Sequence, residues 1–493
     1  MITITRRLAA LLRPVLRRAQ NTPSSPGPAI GFIAAKEGLI VKADCGDVIV
    51  EYRVPGRLAD EALWLPFDLL TDCEGKKDDP VEMEASGEHQ VTARWQDRSG
   101  PQLISYDTRP PAGADKFQAR PTDLAANPPH LLQALADASE IADPDNTRYA
   151  LGNLQLSGSR GEIAATDGCQ LLVQKGFTFP WPDDLLVPRA KFLASPELSG
   201  IEPVAVGKSG NHVAIDVGPW TFYLRVDTAG RFPKVAQNIP APTAAKTRCR
   251  LSADDRRFLA ETLLKLPCDD EGNRRVTLDL NGHVAVRAKP ADQSTPTEVV
   301  LTNSHFTGDT IRISMNRTYL TRAMRLGLDE ICLYGNETAL LGQGEGCQYV
   351  WMPLSKDSAI RPKKDALRIE SPKGSPAVSL PESPPPRRIP PVSETTANTS
   401  TKAASNGRAA SNGPVATNGQ AKPEAANRRT SDRKGAQQDI VDLIAQAEKF
   451  RAAAHDLTHQ ANDLVKALKQ HRRQNRVIET TLASIRQITG LGV

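Results

Sequence analysis

Carboxylate side chains occur in short clusters that could hold a metal ion or carry acid–base chemistry: Asp78-Asp79, Asp183-Asp184, Asp254-Asp255 and Asp269-Asp270-Glu271. Each cluster falls at a predicted turn or helix start, where carboxylates far more often cap helices or face solvent than bind metal. No P-loop, dinucleotide-binding loop, nucleophile elbow or zinc-protease motif occurs in the sequence. The sequence therefore predicts no catalytic residue, no cofactor and no metal site, and argues against an enzyme.

Cysteine and histidine spacing agrees with that conclusion. The 7 cysteines and 8 histidines are dispersed without C-x-x-C spacing, and only His455 and His459 lie close together. An odd, scattered set of cysteines is typical of free thiols in a reducing compartment. We expect a cytoplasmic protein with no structural zinc.

Chain length and composition predict a globular body of several domains. The chain has 493 residues, hydrophobic types make up 39% and glycine adds 34 residues, an ordinary share for folded domains. No run of about 20 apolar residues predicts a membrane span. Arg13 and Arg17 interrupt the N-terminal apolar stretch, which disfavours a secretory signal and leaves an organelle transit peptide as the less favoured alternative. We interpret this stretch as an amphipathic first helix.

Charge divides the chain into two parts. Of 62 Lys+Arg and 57 Asp+Glu, 22 and 12 lie from Arg361 onward, which leaves 40 and 45 in residues 1–360. The body is therefore mildly acidic, with a net charge of −5, and the tail carries +10. An acidic body does not resemble a protein coated with nucleic acid, although a local basic surface remains compatible with it.

Residues 1–357 repeat one order of elements three times, with two helices and several short strands in each round. The rounds share this pattern and little sequence identity. We therefore predict an α+β fold of three tandem units, with boundaries at 1–118, 119–245 and 246–357.

The remaining residues predict two further segments. Residues 358–436 are rich in Pro, Ser, Ala, Asn and Gly and lack Phe, Trp and Tyr, which is typical of a disordered linker. Residues 437–489 carry a heptad seam that begins at Ile440 and is apolar except at His471 and Asn475, which predicts a coiled-coil helix. Pairing with a second copy is favoured over docking onto another protein, and the coiled-coil partner is left open.

Four short motifs carry a family resemblance. They are Arg148 with Leu151, Ala165-Thr166-Asp167-Gly168, Gly230-Arg231-Phe232-Pro233 and Met352-Pro353-Leu354. In type, order and spacing they resemble the bacterial DNA polymerase III β subunit family, the sliding clamps. The resemblance covers residues 120–354 well, residues 1–118 loosely and the tail not at all.

The resemblance implies a non-catalytic ring of two chains that encloses double-stranded DNA and holds it by its phosphates, without reading sequence. The implied phosphate contacts are basic residues on the predicted inner helices: Arg6, Arg7, Arg13, Arg17, Arg189, Lys191, Arg256, Arg257, Arg317, Arg322 and Arg325. For each residue singly, an ordinary solvated helix face is an equally good interpretation.

The resemblance also implies a pocket for a short apolar peptide of the DNA polymerase catalytic subunit or the clamp loader. Carried over by position, its wall is Leu151, Thr166, Gly168, Cys169, Gln170, Leu171, Pro233, Val350, Met352, Pro353 and Leu354. Cys169-Gln170 replaces the family's histidine-arginine pair, and Gln237-Asn238 replaces its later arginine-valine pair. The preferred peptide is therefore expected to differ from the family's.

Ring closure in this family joins the first unit of one chain to the third unit of another. By rough position the residues involved are Leu103 and Ile104 with Leu263, Leu264 and Leu266. The competing hypothesis is a clamp-fold scaffold that does not encircle DNA and assembles partners through its pocket and coiled coil.

Overall fold

The computed structural model describes residues 1–20, 27–108, 110, 119–143, 150–269 and 274–373. Helices and antiparallel sheets alternate through these residues, so the predicted α+β class is confirmed. The architecture repeats one motif six times: a short strand, a helical segment and a three-strand meander. Two such motifs form each unit.

The first unit begins with a helix whose start is specified locally. The Thr5 side chain accepts a hydrogen bond from the Leu8 amide at 3.1 Å, and Leu12, Val15 and Leu16 form the buried stripe. The elements of this unit are β1 (Ile2–Thr5), α1 (Arg6–Ala19), β2 (Ile30–Ala35), β3 (Gly38–Asp44), β4 (Val48–Pro55), β5 (Glu61–Leu65), α2 (Asp68–Cys73), β6 (Pro80–Gly87), β7 (Gln90–Asp97) and β8 (Gly100–Asp107).

The second unit departs from the prediction of two helices. The helix expected near residues 187–194 is reduced to two 3₁₀ turns, Lys191–Ala194 and Pro196–Leu198, because Pro196 cannot donate to a continuing helical ladder. The elements of this unit are β9 (Leu124–Asn127), α3 (Leu131–Ile141), β10 (Asn153–Ser157), β11 (Glu162–Thr166), β12 (Gln170–Lys175), β13 (Asp184–Pro188), β14 (Val204–Ser209), β15 (His212–Val217) and β16 (Trp220–Arg225).

The third unit restores both helices, each with a side-chain cap. Ser252 accepts from the Asp255 amide and Asn316 from the Thr318 amide. The elements are β17 (Thr247–Arg250), α4 (Ala253–Thr262), β18 (Arg275–Leu280), β19 (Val284–Ala288), β20 (Thr297–Leu301), β21 (His305–Gly308), β22 (Ile311–Asn316), α5 (Arg317–Arg325), β23 (Glu330–Leu333), β24 (Leu340–Gly344), β25 (Cys347–Trp351) and β26 (Leu367–Glu370).

Two sheets run across the unit boundaries. An eight-stranded sheet has the order β5-β2-β3-β4-β16-β15-β14-β9, and a nine-stranded sheet has the order β13-β10-β11-β12-β25-β24-β23-β17-β21. The other two sheets stay within single units, with the orders β1-β6-β7-β8 and β22-β18-β19-β20-β26. Buried apolar side chains form one continuous cluster through all three units.

The linker begins later than the sequence predicts. Ile360 is buried and its amide donates to the Thr277 hydroxyl at 2.9 Å, and β26 pairs in parallel with β20. Residues 358–373 therefore extend the third unit, because their few apolar side chains have a sheet edge to bind. The rest of the predicted linker and the predicted coiled coil, residues 437–489, lie outside the described residues.

Within the described ranges, no helix is long and apolar enough to cross a membrane. The same ranges hold no group of three or more His, Cys, Asp or Glu side chains that could bind a metal ion. All seven cysteines are free thiols, and Cys169 is the exposed one.

Candidate functional site

The Ala165–Gly168 motif forms the tight turn between β11 and β12. Asp167 Oδ1 accepts from the amides of Cys169 and Gln170 at 2.8 and 2.7 Å, and Gly168 has a φ of +89° that favours glycine. The turn exposes Cys169, where burial and the nearby Asp167 raise the thiol pKa. An aspartate and a glycine are thus required by the turn itself.

The C-terminal motif adjoins this turn. Strand β25 pairs with β12 so that Val350 lies opposite Leu171, and the Met352 amide donates to the Cys169 carbonyl at 3.0 Å. The Met352 side chain is 45% exposed. Pairing across the unit boundary therefore brings together two motifs that are far apart in the sequence.

The Gly230–Pro233 motif also contacts this region of the sheet. Phe232 packs against a small cluster that contains Leu171 and Val350, and the Ala150 amide donates to the Arg231 carbonyl at 3.1 Å. Leu151 is buried next to this contact. The second, third and fourth motifs therefore adjoin one another at one face of the nine-stranded sheet, with Leu151 of the first motif next to the Ala150–Arg231 contact, and Arg148 lies outside the described residues.

A cavity of about 800 Å³ opens on this face, between β10–β12 and the connection 232–242. Of the predicted wall, only Pro233 lines it. The lining that the sequence analysis missed includes Ala164, Val173, Phe232, Val235 and Ile239. Alternation along β12 was the available signal, because Val173 must share the face of Leu171.

Gln170 is one of the residues predicted for the pocket wall, but it does not line the cavity. Its side chain is buried on the helix-bearing face of the sheet, where its amide oxygen accepts from Arg322 and from the Tyr349 hydroxyl. Its amide nitrogen donates to Asp167 at 2.6 Å. The physical reason is the two-residue period of β12, which turns Gln170 and Leu172 away from Leu171. Burial also raises the pKa of Tyr349, which keeps its hydroxyl protonated as a donor.

Three predicted phosphate contacts are hydrogen-bonded inside the protein. Arg317 is 1% exposed and donates to the carbonyls of Arg274, Leu263, Leu266 and Pro267 at 2.7–3.1 Å. Arg6 donates to three further carbonyls, and Arg322 binds Gln170 and the Glu140 carbonyl. These guanidinium groups are structural, because hydrogen bonds to acceptors within the protein occupy their N–H donors.

The other basic candidates are accessible to different degrees. Arg7, Arg17, Lys191, Arg257 and Arg325 are exposed, whereas Arg13, Arg189 and Arg256 are half-buried. Several have acidic neighbours: Arg7 lies 3.7 Å from Asp78, Arg13 lies 2.5 Å from Glu74 and Arg257 lies 3.3 Å from Asp254. Such surface pairs are weak and leave the cations available to a phosphate.

Helix α3 interrupts the basic character of the helices. It contains no Lys or Arg, and its solvent side carries Gln133, Asp137 and Glu140. Burial raises the pKa of Asp137, and Glu140 lies 3.7 Å from Arg322. The basic surface is therefore concentrated in the first and third units.

The predicted ring-closing residues divide into two groups. Leu103 is 65% exposed on β8, Ile104 next to it is half-buried, and Leu264 is exposed. Leu263 and Leu266 are buried in the core of the third unit, so they are wrong as surface contacts. The 3₁₀ turn Leu263–Lys265 explains the difference, because it points successive side chains in different directions.

Comparison with known proteins identifies the fold. No protein-family model matches the chain, and no curated protein sequence matches it. Solved structures do match: the DNA polymerase III subunit beta from Pseudomonas aeruginosa (19% identity, 72% of this chain and 99% of that chain, TM-score 0.58) and the beta subunit from Thermotoga maritima (16%, 72%, 99%, 0.57). A third match is the beta chain from Streptococcus pneumoniae (15%, 72%, 99%, 0.55). The resemblance expected from the four motifs is confirmed at the level of architecture: the chain has the fold of the bacterial DNA polymerase III beta subunit, the sliding clamp.

Proposed function

We propose that this protein is a non-catalytic sliding DNA clamp. Two copies close into a ring around double-stranded DNA and raise the processivity of a DNA polymerase by keeping it near its template. The observation that carries the proposal is a body of three tandem units that spans nearly the whole length of solved clamps. The exposed arginines of α1, α4 and α5 supply a sequence-independent attraction for phosphates.

The partners of this clamp bind at the cavity between β10–β12 and residues 232–242. Its apolar side chains and the neighbouring exposed Met352 suit a short apolar segment of the polymerase catalytic subunit or the clamp loader. Neither Cys169 nor Gln170 carries a cation for an acidic peptide group, and of the cavity cations, Arg160 and Lys175 both pair with Glu162. The preferred segment is therefore mainly apolar.

Peptide binding is tested with Val173→Glu, which places a charge in the cavity, and with Gln133→Glu as a matched control on the surface of α3. We expect Val173→Glu to lower the affinity for apolar clamp-binding peptides by tenfold or more, which corresponds to about 1.4 kcal/mol. Equal affinity in both variants would place the peptide site elsewhere.

The ring is tested with circular and linear duplex DNA. Full-length protein, with a clamp loader, is incubated with a nicked circle, and the complex is isolated by gel filtration before and after the circle is cut. A closed ring stays on the circle and is lost from the linear product, because the linkage is topological. Equal retention on both, or none on either, would contradict encirclement.

A clamp-fold scaffold that does not encircle DNA is the second candidate. It is favoured by the acidic surface of α3 and by the internal use of Arg317 and Arg322, both of which weaken a continuous basic lining. Such a scaffold would assemble proteins through its cavity and through residues 437–489. The same DNA experiment separates the two, because the scaffold shows no difference between circle and linear duplex while it still binds peptide.

A further inference from the structure

The sheets of this chain are joined by one rule. Each of the six meanders ends in a third strand, and these are β4, β8, β12, β16, β20 and β25. Four of them join in antiparallel pairs, β4 with β16 and β12 with β25. Each pair connects meanders of neighbouring units. The two remaining third strands, β8 and β20, belong to the first and third units.

Among the described residues, no strand pairs with the outer edge of β8. It is the last strand of the sheet β1-β6-β7-β8, it is eight residues long, and Leu103 projects from it with 65% exposure. An unpaired edge of this length presents a row of free amides and carbonyls to another strand. Since the other third strands pair with each other between units, we expect β8 to pair with the remaining third strand, β20, of a second copy.

The edge of β20 is already covered. Residues 365–372, which we call the C-terminal strap, run alongside it, and their central strand β26 pairs with β20 in parallel. The Leu367 amide donates to the Pro296 carbonyl at 3.1 Å and the Ser371 amide to the Val300 carbonyl at 2.9 Å. Thr302 donates from its own amide to the Ser371 hydroxyl at 2.9 Å. The strap thus occupies the position that a partner strand needs.

The strap is held by its backbone and by side-chain hydrogen bonds near its two ends, where the Thr295 hydroxyl donates to Asp365 at 3.0 Å and the Asn303 side-chain amide donates to the Pro372 carbonyl at 2.8 Å. Within β26, Ile369 alone packs against the core, Leu367 is exposed, and Arg368 pairs with its neighbour Glu370 at 3.1 Å. Four parallel pairs hold it, whereas each of the two internal junctions has five antiparallel pairs. Parallel pairing is slightly less stable per residue, which makes the strap easier to displace, whereas its attachment to the same chain keeps it docked in the wild type.

We propose that the C-terminal strap is a displaceable cover on the ring-closing edge, and that strand β8 of a second copy replaces it. With the strap docked, β20 is unavailable and the ring stays open. With the strap released, β8 of one copy pairs with β20 of another. This pair forms a junction between chains that is equivalent to the β4–β16 and β12–β25 junctions within the chain. This inference rests on the proposed ring, but it concerns strand exchange and is tested without DNA.

The test uses three full-length variants and hydrogen exchange of the β8 amides at low and high protein concentration. Ser371→Pro removes the amide bonded to Val300 and the hydroxyl bonded to Thr302, and Ile369→Asp removes the packed side chain. Arg368→Pro is the matched control. The amides of Leu367 and Ser371 donate toward β20, so by the two-residue period of a strand the Arg368 amide points away from β20, where an edge strand tolerates proline.

In the wild type and in Arg368→Pro, we expect β8 exchange to be independent of concentration. In Ser371→Pro and Ile369→Asp it should slow about tenfold or more at high concentration, because a larger fraction of the chains then exposes β20. Adding Leu103→Lys to either displacing variant should abolish that protection, which excludes association through another surface.

Two results would overturn the proposal. One is β20 amides that exchange faster in a displacing variant, which shows a released strap, without any concentration-dependent protection of β8. The other is protection of β8 in the wild type equal to that in both variants. Protection of β8 together with failure to stay on circular DNA would leave the strand exchange standing and contradict only the DNA clamp.

Discussion

The outer units of this protein and its middle unit handle their helices differently. In the first unit, Arg6 at the start of α1 donates to the carbonyls of Cys73 and Glu74, at the end of α2. In the third unit, Arg317 at the start of α5 donates to the carbonyls of Leu263 and Leu266, just beyond α4. Each arginine satisfies carbonyls that a helix end leaves without partners.

Among its described residues, the middle unit has no arginine in this role, and the Glu140 carbonyl near the end of α3 instead accepts from Arg322 of the third unit at 3.3 Å. Helix α3 begins with Leu131, and the second helix is replaced by 3₁₀ turns. Its tie is a hydroxyl: Ser139 donates to the Leu135 carbonyl at 2.6 Å and accepts from the Ala190 amide at 2.7 Å. The difference teaches that part of the arginine content of the helices serves the packing of helix pairs. Where 3₁₀ turns replace the second helix, the described residues of the unit hold no arginine that ties its two helical segments together.

Arg317→Ala should have the largest effect on this comparison. Four carbonyls lose their donor in the core of the third unit, and we expect the free energy of unfolding to fall by about 3 kcal/mol. Arg317→Lys should recover only part of it, because an ammonium lacks the planar fork. Urea unfolding measures both. The control is Arg257→Ala on the exposed face of α4, expected within about 0.5 kcal/mol of the wild type; equal losses at both sites would contradict a structural role for Arg317.

Arg6→Ala tests the same device in the first unit, with a smaller effect. The side chain is 16% exposed, so water replaces part of what is lost, and we expect a decrease of about 1–2 kcal/mol. Local hydrogen exchange in α2 should rise more than exchange in α4. Uniform exchange in both helices would show that Arg6 does not hold the end of α2.

The exposed arginines of the outer units should carry the DNA affinity. The triple variant Arg7→Ala, Arg257→Ala and Arg325→Ala is expected to bind duplex DNA more weakly regardless of sequence. The dependence of log affinity on log salt should become shallower by about 0.9 for each lost phosphate contact. Gln133→Ala on α3 is the control. An unchanged salt dependence in the triple variant would favour the scaffold over the clamp.

His212, at the start of β15, should make the stability of the folded middle unit depend slightly on pH. Burial and the charge of Arg225 lower its pKa from 6.5, opposed by Asp44. Because the folded state holds the neutral imidazole, its stability contribution is present above about pH 6.5 and is lost as pH falls below it. Thermal unfolding of His212→Gln should therefore depend less on pH between 7.5 and about 5 than the wild type. Parallel pH profiles for the two proteins would contradict a buried neutral histidine.

Local sequence signals predicted much of this fold. The amphipathic stripe of α1 and the alternation of helices with short strands both reflect interactions within a few residues. Two departures have different causes. Pro196 is a local signal that stops the expected helix of the middle unit, whereas the edge of β20, distant in the sequence, orders residues that composition alone assigns to a linker.

The sequence by itself determined the α+β class and the order of the four motifs, because periodicity and motif order can be seen along the chain. The tertiary structure alone decided the burial and the hydrogen-bond partners of side chains that look equivalent in the sequence. Arg317 and Arg325 stand on the same short helix, yet one is enclosed by backbone carbonyls and the other faces solvent. Adjacent Gln170 and Leu171 likewise face opposite sides of the sheet, since burial and hydrogen-bond partners depend on neighbours that only folding brings close.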